Sequence, residues 1–118
     1  MNYIWDNIYI GDEHDASSFK LTRGFKILDL RELHIDEKQD LKAVYQIYHA
    51  LSELTYLHNQ GKVLVHCNAG IDRAPFVVAL WFHITKGYDF DTSYDFVKKK
   101  RPQAIQHWEW YPSLKHLR

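Results

Sequence analysis

The sequence is poor in the residues that cross-link a chain or anchor it in a membrane. It contains a single cysteine, which excludes an internal disulfide framework and fits a reducing compartment. No apolar run reaches the roughly 18 residues that cross a bilayer, and the N-terminus lacks the basic-then-apolar order of a signal peptide. We therefore expect a cytoplasmic protein without a membrane span.

Neither sign of charge is in excess. Lysine plus arginine and aspartate plus glutamate number 15 each, so the formal net charge is zero. This balance gives no indication of a nucleic-acid partner. The eight histidines show no zinc-ligand spacing, so no metal or cofactor is expected. The basic run at residues 98–101 is interpreted as a solvated helix end rather than as a site for an anionic partner.

The chain does contain enough apolar sequence for one core. Apolar residues make up 46% of the 118 residues, and no repeat, linker or low-complexity segment divides them. We therefore expect residues 1–118 to form a single compact domain and the protein to be a monomer. Strand and helix patterns alternate along the chain, which indicates an α/β fold with a central, mostly parallel sheet flanked by helices.

Hydrophobic periodicity and the positions of glycine and proline predict the individual elements. Strands are expected within residues 4–10 and at residues 26–30, 33–35 and 62–66. Helices are expected at residues 15–20, 41–60, 76–84, 91–100 and 108–117.

Several residues are expected to orient or delimit these helices. The inward face of the second helix is predicted to carry Val44, Ile47, Tyr48, Leu51 and Leu54. Asp15 and Asp91 are expected to cap helix N-termini, and Gly61 and Gly87 are expected to end helices.

The most informative stretch runs from residue 63 to residue 75. An apolar run leads to Cys67, Arg73 follows after five intervening residues, and a long apolar segment begins directly afterwards. This order predicts a buried strand, a short loop and a helix that enters the core. Backbone N–H groups of such a loop gather at a helix N-terminus, where they suit an anion. The candidate phosphate-binding residues are Cys67, Asn68, Ala69, Gly70, Ile71, Asp72 and Arg73.

The side chains at the two ends of this loop add chemistry to the anion site. A helix N-terminus favours the thiolate form of a cysteine, which is a strong nucleophile. The planar guanidinium of Arg73 can hold two oxygens of a phosphate group. Together, Cys67 and Arg73 indicate phosphoryl transfer to sulfur.

This stretch resembles the signature loop of the cysteine-dependent protein phosphatases. His66, Cys67, Gly70 and Arg73 stand at the positions of the family pattern His-Cys-x-x-Gly-x-x-Arg. The short chain is more similar to the dual-specificity branch than to the larger tyrosine-specific branch. The resemblance implies hydrolysis of phosphomonoesters through a cysteinyl-phosphate, without a metal.

The resemblance also implies a general acid on a loop about thirty residues before the cysteine, ahead of a long helix. Asp36 matches that placement and is the candidate acid. Asp36 and Gln39 also fit a helix capping box, although Asp40 directly precedes the periodic segment and is the better cap. Asp40 and Asp72 remain alternative acids.

Two residues of the loop depart from the family pattern. Ala74 stands where most members carry serine or threonine, whose hydroxyl supports the leaving thiolate, so the second step is in question. Asp72 precedes the arginine, as in the myotubularin-like phosphoinositide phosphatases. The favoured interpretation is that Asp72 points outward and pairs with a neighbour, because a second negative charge would repel phosphate.

The sequence thus predicts a dual-specificity phosphatase that acts on phosphorylated proteins. Phosphotyrosine is the expected substrate, with phosphoserine and phosphothreonine left open. A phosphoglucan or phosphoinositide substrate is the alternative within the same chemistry, and Trp108, Trp110 and Tyr111 could form a sugar platform. A phosphate-binding module without turnover is the alternative outside enzymes.

Overall fold

The computed structural model of the protein describes residues 1–19, 24–35 and 41–110. The chain alternates strands and helices as predicted. The strands are β1 (Asn2–Trp5), β2 (Ile8–Gly11), β3 (Phe25–Asp29) and β4 (Lys62–His66). The helices are α1 (Glu13–Phe19), α2 (Leu41–His58), α3 (Arg73–Lys86) and α4 (Phe90–Lys100).

The described strands form one four-stranded sheet in the order β1-β2-β4-β3. Strands β2 and β3 each run parallel to β4, and β1 joins the β2 edge in the antiparallel direction. Val63, Leu64 and Val65 of β4 are fully buried, as expected for a central strand covered on both faces. The predicted fold class, a mostly parallel sheet flanked by helices, is confirmed.

The start of the chain differs from the prediction. Residues 4–10 do not form a single strand, because Asp6 and Asn7 turn the chain between β1 and β2 with φ angles of 53° and 65°. Such left-handed residues are what a tight hairpin requires, and aspartate and asparagine tolerate them better than most residues. The hairpin makes β1 an edge strand.

Helix α1 begins with a capping box rather than with Asp15 as its cap. The backbone N–H of Asp15 donates to Asp12 Oδ1 at 2.7 Å, and the backbone N–H of Asp12 donates to Asp15 Oδ2 at 3.0 Å. Asp12 is therefore the N-cap and Asp15 the reciprocal third residue. Similarly, α4 begins after Asp89, and Asp91 lies in its first turn.

Helix α2 buries the predicted stripe with one exception, Tyr48, which is 44% exposed. The buried face is centred on Ala43, Ile47, Ala50 and Leu54, and Tyr48 lies beside that line of residues. The helix ends at His58, three residues before Gly61, whereas Gly87 does end α3 with a left-handed φ of 78°.

Of two other predicted elements, the strand at residues 33–35 is wrong and the last helix is only partly described. Residues 33–35 contain no strand. The predicted last helix starts as a short 3-10 turn at residues 108–110, and residues 111–117 lie outside the described residues. Within the described ranges, no helix is both long and apolar enough to cross a lipid bilayer.

Candidate active site

The predicted strand, loop and helix are present at the centre of the fold. Strand β4 ends at His66, the loop covers residues 67–72, and α3 starts at Arg73. Because β4 lies between two parallel strands, it presents the loop at the carboxyl edge of the sheet, where α/β folds commonly bind ligands. Cys67 is the first residue of the loop and is only 1% exposed.

Five consecutive carbonyl groups of the loop, from Cys67 to Ile71, accept hydrogen bonds from other parts of the protein. The donors are His66 Nδ1 at 3.1 Å, the Glu13 N–H at 3.0 Å, the Arg101 guanidinium at 3.2 and 2.6 Å, and the Ile105 N–H at 2.8 Å. Within the described residues, the N–H groups of residues 68–72 have no acceptor. The carbonyls are therefore satisfied by the surrounding protein, while the N–H groups remain available to an anion.

Gly70 is required by both the conformation and the packing of the loop. Its φ angle is +69°, in the left-handed region that favours glycine. A Cβ atom at this position would lie only 2.7 Å from the carbonyl carbon of Gly11 and 2.8 Å from Arg101 Nη2. The loop therefore approaches strand β2 too closely for any side chain.

Arg101 is the most important site residue that sequence reasoning missed. It belongs to the basic run at residues 98–101 for which the sequence predicts a solvated helix end, but Arg101 is only 3% exposed, so that prediction is wrong for this residue. Its Nε donates to Gly70 O, and its Nη1 donates to Asn2 Oδ1 at 2.8 Å and to Ile10 O at 3.2 Å. Burial lowers the pKa of Arg101, although nearby Asp15 and Asp12 oppose that effect. The guanidinium thus ties the loop to the edge of the sheet.

Arg73 lies at the other end of the loop and contacts the chain that follows β3. Its Nη1 donates to Arg31 O at 2.6 Å and to Leu33 O at 3.4 Å. The other N–H groups of Arg73 have no acceptor within the described residues. One amino group therefore positions the guanidinium, and the rest of its planar fork remains available for oxygens of a substrate.

The chain that accepts from Arg73 is itself fixed by an ion pair. The guanidinium of Arg31 donates to both carboxylate oxygens of Asp29, at distances of 2.8 to 3.1 Å. These hydrogen bonds lower the pKa of Asp29, so that its carboxylate stays ionised. Asp29 is 3.8 Å from His66 Nε2, but as a carboxylate it is not suited to donate a proton.

Asp72 precedes α3 but does not cap it with its side chain. Asp72 Oδ1 instead lies 2.6 Å from His107 Nε2, and Glu109 Oε2 lies 2.7 Å from His107 Nδ1. Burial disfavours the charged ring, but hydrogen bonds to the two carboxylates outweigh it, so the pKa of His107 is raised. This arrangement agrees with the interpretation that Asp72 pairs with a neighbour outside the anion site.

Ala74 lies within the described residues, but the two acids predicted on the loop before α2 do not. Asp36 and Asp40 lie outside the described residues. Ala74 is completely buried in the first turn of α3.

The aromatic residues near the chain end pack against the protein. Trp108 packs on Tyr94 with ring centroids 5.1 Å apart, and Trp110 stacks on His107 at 4.0 Å. Tyr111 lies outside the described residues. The two described tryptophans therefore have packing partners, which does not favour a sugar platform.

A thiol at the start and an arginine at the end of such a loop, whose N–H groups have no acceptor among the described residues, indicate a class of protein, the cysteine-dependent phosphatases. A family model described as "Dual specificity phosphatase, catalytic domain" matches residues 8–117. The chain belongs to this family. The resemblance to the dual-specificity phosphatases and the predicted phosphatase activity are thereby confirmed.

Individual proteins agree with the family assignment. A protein of Invertebrate iridescent virus 6 named as tyrosine phosphatase 123R is 30% identical over 114 residues, covering 83% of this chain and 78% of the viral one. Human protein phosphatase Slingshot homolog 1 is 26% identical over 119 residues, but the match covers only 11% of its length. The crystal structure of human DUSP28 superposes with a TM-score of 0.77 and 14% identity, covering 98% of this chain and 94% of that chain, which supports the fold.

Proposed function

We propose that this chain hydrolyses phosphotyrosine in proteins, with Cys67 as the nucleophile and Arg73 as the clamp of the phosphoryl group. The observation that supports this most directly is the pattern of hydrogen bonds in the loop. Its carbonyls are bonded to the surrounding protein, and the N–H groups of residues 68–72 have no acceptor in the described part of the chain, beside the only thiol of the sequence. That pattern matches the needs of a transition state with negative charge on three oxygens.

The proposed reaction has two steps. In the first step, Cys67 Sγ attacks phosphorus, the bond from phosphorus to the ester oxygen breaks, and the leaving oxygen takes a proton from Asp36. In the second step, Asp36 accepts a proton from water, which attacks phosphorus and releases inorganic phosphate and the Cys67 thiolate. Residues 68–73 hold the phosphoryl oxygens in both steps. No metal or cofactor takes part.

The role of Asp36 rests on its place in the sequence and on its described neighbours. It follows Leu33, whose carbonyl accepts from Arg73, by three residues, and three residues span at most about 11 Å. Of the alternative acids, Asp72 is engaged by His107, and Asp40 directly precedes the periodic segment of α2, where it is the better cap. Asp29, the carboxylate near His66, is held ionised by Arg31.

The proposal includes where the protein acts and in what oligomeric state. Residues 1–118 act as one catalytic domain, as a monomer in the cytoplasm. A single cysteine that has to stay reduced for catalysis supports a reducing compartment. Phosphoserine and phosphothreonine are secondary substrates, because an alkoxide leaves less readily than a phenolate and depends more strongly on the acid.

The nucleophile is tested by trapping the intermediate. A phosphotyrosine peptide labelled with phosphorus-32 is mixed with enzyme, and the reaction is quenched with acid during turnover. Wild-type protein should carry label on a peptide that contains Cys67, whereas Cys67→Ser should carry none. The serine variant should still bind the phosphopeptide in calorimetry, because the loop N–H groups remain. Turnover at the wild-type rate in Cys67→Ser would exclude the mechanism.

The acid is tested by the dependence on the leaving group. Asp36→Asn should slow hydrolysis of a phosphotyrosine peptide by about 100-fold, within the usual range for an acid or base. It should hardly affect a nitrophenyl phosphate, whose leaving group needs no proton. Asp40→Asn is the matched control and should leave the ratio of the two rates unchanged. If Asp72→Asn changes the ratio and Asp36→Asn does not, the acid belongs to the loop.

A further inference from the structure

A cavity of about 400 Å³ lies apart from the phosphate loop, between the edge strand β1 and helix α4. Its lining is mostly aromatic and apolar, as in typical small-molecule sites. Tyr3 and Trp5 line it from β1, Tyr88 precedes α4, and Thr92, Ser93, Phe96 and Lys100 line it from α4. Tyr3, Trp5 and Tyr88 are 50%, 40% and 48% exposed, so the apolar wall of the cavity is open to solvent at its mouth.

Ser93 gives this apolar cavity an unsatisfied polar group. The residue is only 3% exposed, and its hydroxyl has no hydrogen-bond partner within the described residues. Three other helical hydroxyls behave differently: those of Ser17, Thr55 and Thr85 each donate to the carbonyl four residues earlier, at 2.7 to 3.1 Å. A buried hydroxyl without a partner destabilises the fold, and a bound molecule could satisfy it.

Lys100 adds a positive charge to the same face of α4. It lies seven residues after Ser93, two turns along the helix, which corresponds to a separation of about 10 Å. Phe96 lies between them, and Lys100 Nζ stands 5.6 Å from the centre of its ring. Lys100 is the only charged residue among the lining residues named above. A ligand that extends along α4 would meet a hydroxyl, an aromatic surface and then a cation.

We propose that this cavity binds an aromatic monoanion about 10 Å long, separately from the phosphate loop. The rings of the ligand pack between β1 and α4, a polar atom of the ligand hydrogen-bonds with Ser93, and its anionic group faces Lys100. The proposal is independent of the phosphatase mechanism, because none of the lining residues belongs to the loop.

The test uses 8-anilinonaphthalene-1-sulfonate, an aromatic monoanion of this size, in titration calorimetry with the folded protein. The expected result is one saturable site per chain. Thr92→Trp, an exposed position at the cavity, should fill the space and weaken binding by at least about tenfold. Tyr45→Trp, on the exposed side of α2, is the matched control and should bind like the wild type.

The charge is tested with a second pair of variants and a neutral probe. Lys100→Gln should weaken binding of the sulfonate about two- to fivefold, the usual effect of an exposed ion pair. Lys99→Gln should have no effect. N-phenyl-1-naphthylamine, which lacks the sulfonate, should bind equally to wild type and Lys100→Gln.

A second measurement locates the probe without any substitution. Amide NMR shifts caused by the sulfonate should concentrate in residues 3–5 and 88–100. Shifts confined to residues 67–73, binding at several unsaturated sites, or unchanged affinity in Thr92→Trp would each overturn the proposal. Equal weakening by Lys99→Gln and Lys100→Gln would overturn the assigned role of Lys100.

Discussion

At the scale of single residues, Arg73 is held in place by hydrogen bonds to the chain that follows β3. Its Nη1 is fixed by Arg31 O and Leu33 O, which aligns the plane of the guanidinium before a substrate arrives. A group that is aligned in advance contributes more to catalysis than a mobile charge of the same sign.

Arg73→Lys should therefore reduce kcat/KM for a phosphotyrosine peptide by about 100-fold, because an ammonium group cannot reproduce the two-pronged contact. Steady-state kinetics measures the loss, and thermal unfolding checks that the variant is folded. Activity within about threefold of wild type, far from the loss expected for such a donor, would show that Arg73 is not the clamp.

The positions of Cys67 and Arg73 at the two ends of the loop could be predicted because their signal is local. A buried strand, a glycine at the tight point of the loop and an apolar helix all lie within about twenty residues in sequence. Arg101 gave no such signal, because the carbonyls it binds are more than thirty residues away. The contacts of His107 with Asp72 and Glu109 could not be predicted either, because their separations in the sequence match no recognised motif.

At the scale of secondary-structure elements, α4 supports the loop through the residue that follows its last turn. Arg101 donates to Gly70 O and Ala69 O, to Ile10 O in β2 and to Asn2 in β1. A single guanidinium therefore couples the end of a helix to two strands and to the back of the anion site.

Arg101→Met should lower kcat about 10- to 100-fold with little change in KM, because misplaced N–H groups weaken the transition state more than the ground state. The unbonded carbonyls should also cost about 1 to 3 kcal/mol of stability each. Lys99→Met, at the exposed neighbouring position, is the control. A kcat equal to that of the control in a folded Arg101→Met would contradict the positioning role.

Most elements were predicted from their local pattern, including the short strands β3 and β4, whereas residues 4–10 and 33–35 were predicted wrongly as single strands. Helices α2 and α3 carry several turns of apolar repeat and were found. Residues 33–35 look like a strand in sequence, but the Leu33 N–H donates to Leu30 O at 3.1 Å in a turn. The carbonyls of Arg31 and Leu33 accept hydrogen bonds from Arg73 instead of from a neighbouring strand. Because Arg73 is distant in sequence, the local pattern of residues 31–35 does not indicate this contact.

At the scale of the whole molecule, the segment at residues 101–110 lies against the loop at residues 67–72 and forms hydrogen bonds with it. Arg101, Ile105 and His107 each bond to a residue of the loop. These contacts join positions more than thirty residues apart, so they restrain the loop only when the rest of the domain is folded. The His107 contact is the one of the three that changes with pH near neutrality.

His107 should make the stability of the domain depend on pH in a defined direction. Its pKa is raised in the folded protein, so its contribution is complete below the usual value near 6.5 and is lost as pH rises through the folded value. The hydrogen bond from His107 lowers the pKa of Glu109, so that partner's contribution is present above its usual value near 4.5 and is lost as pH falls below it.

Between about pH 5 and pH 6, above the usual pKa of Glu109 and below that of His107, both residues are charged and both contributions are complete. In urea unfolding, His107→Gln should therefore lose the most stability relative to wild type in this window, and the difference should shrink by pH 9. A loss of up to about 1 kcal/mol is expected, because the pair is partly exposed and screened by solvent. In Glu109→Gln, the pH dependence contributed by His107 should become smaller. An NMR titration of the His107 ring gives the direct check, and a midpoint below 6.5 would contradict the pairing of His107 with the carboxylates of Asp72 and Glu109.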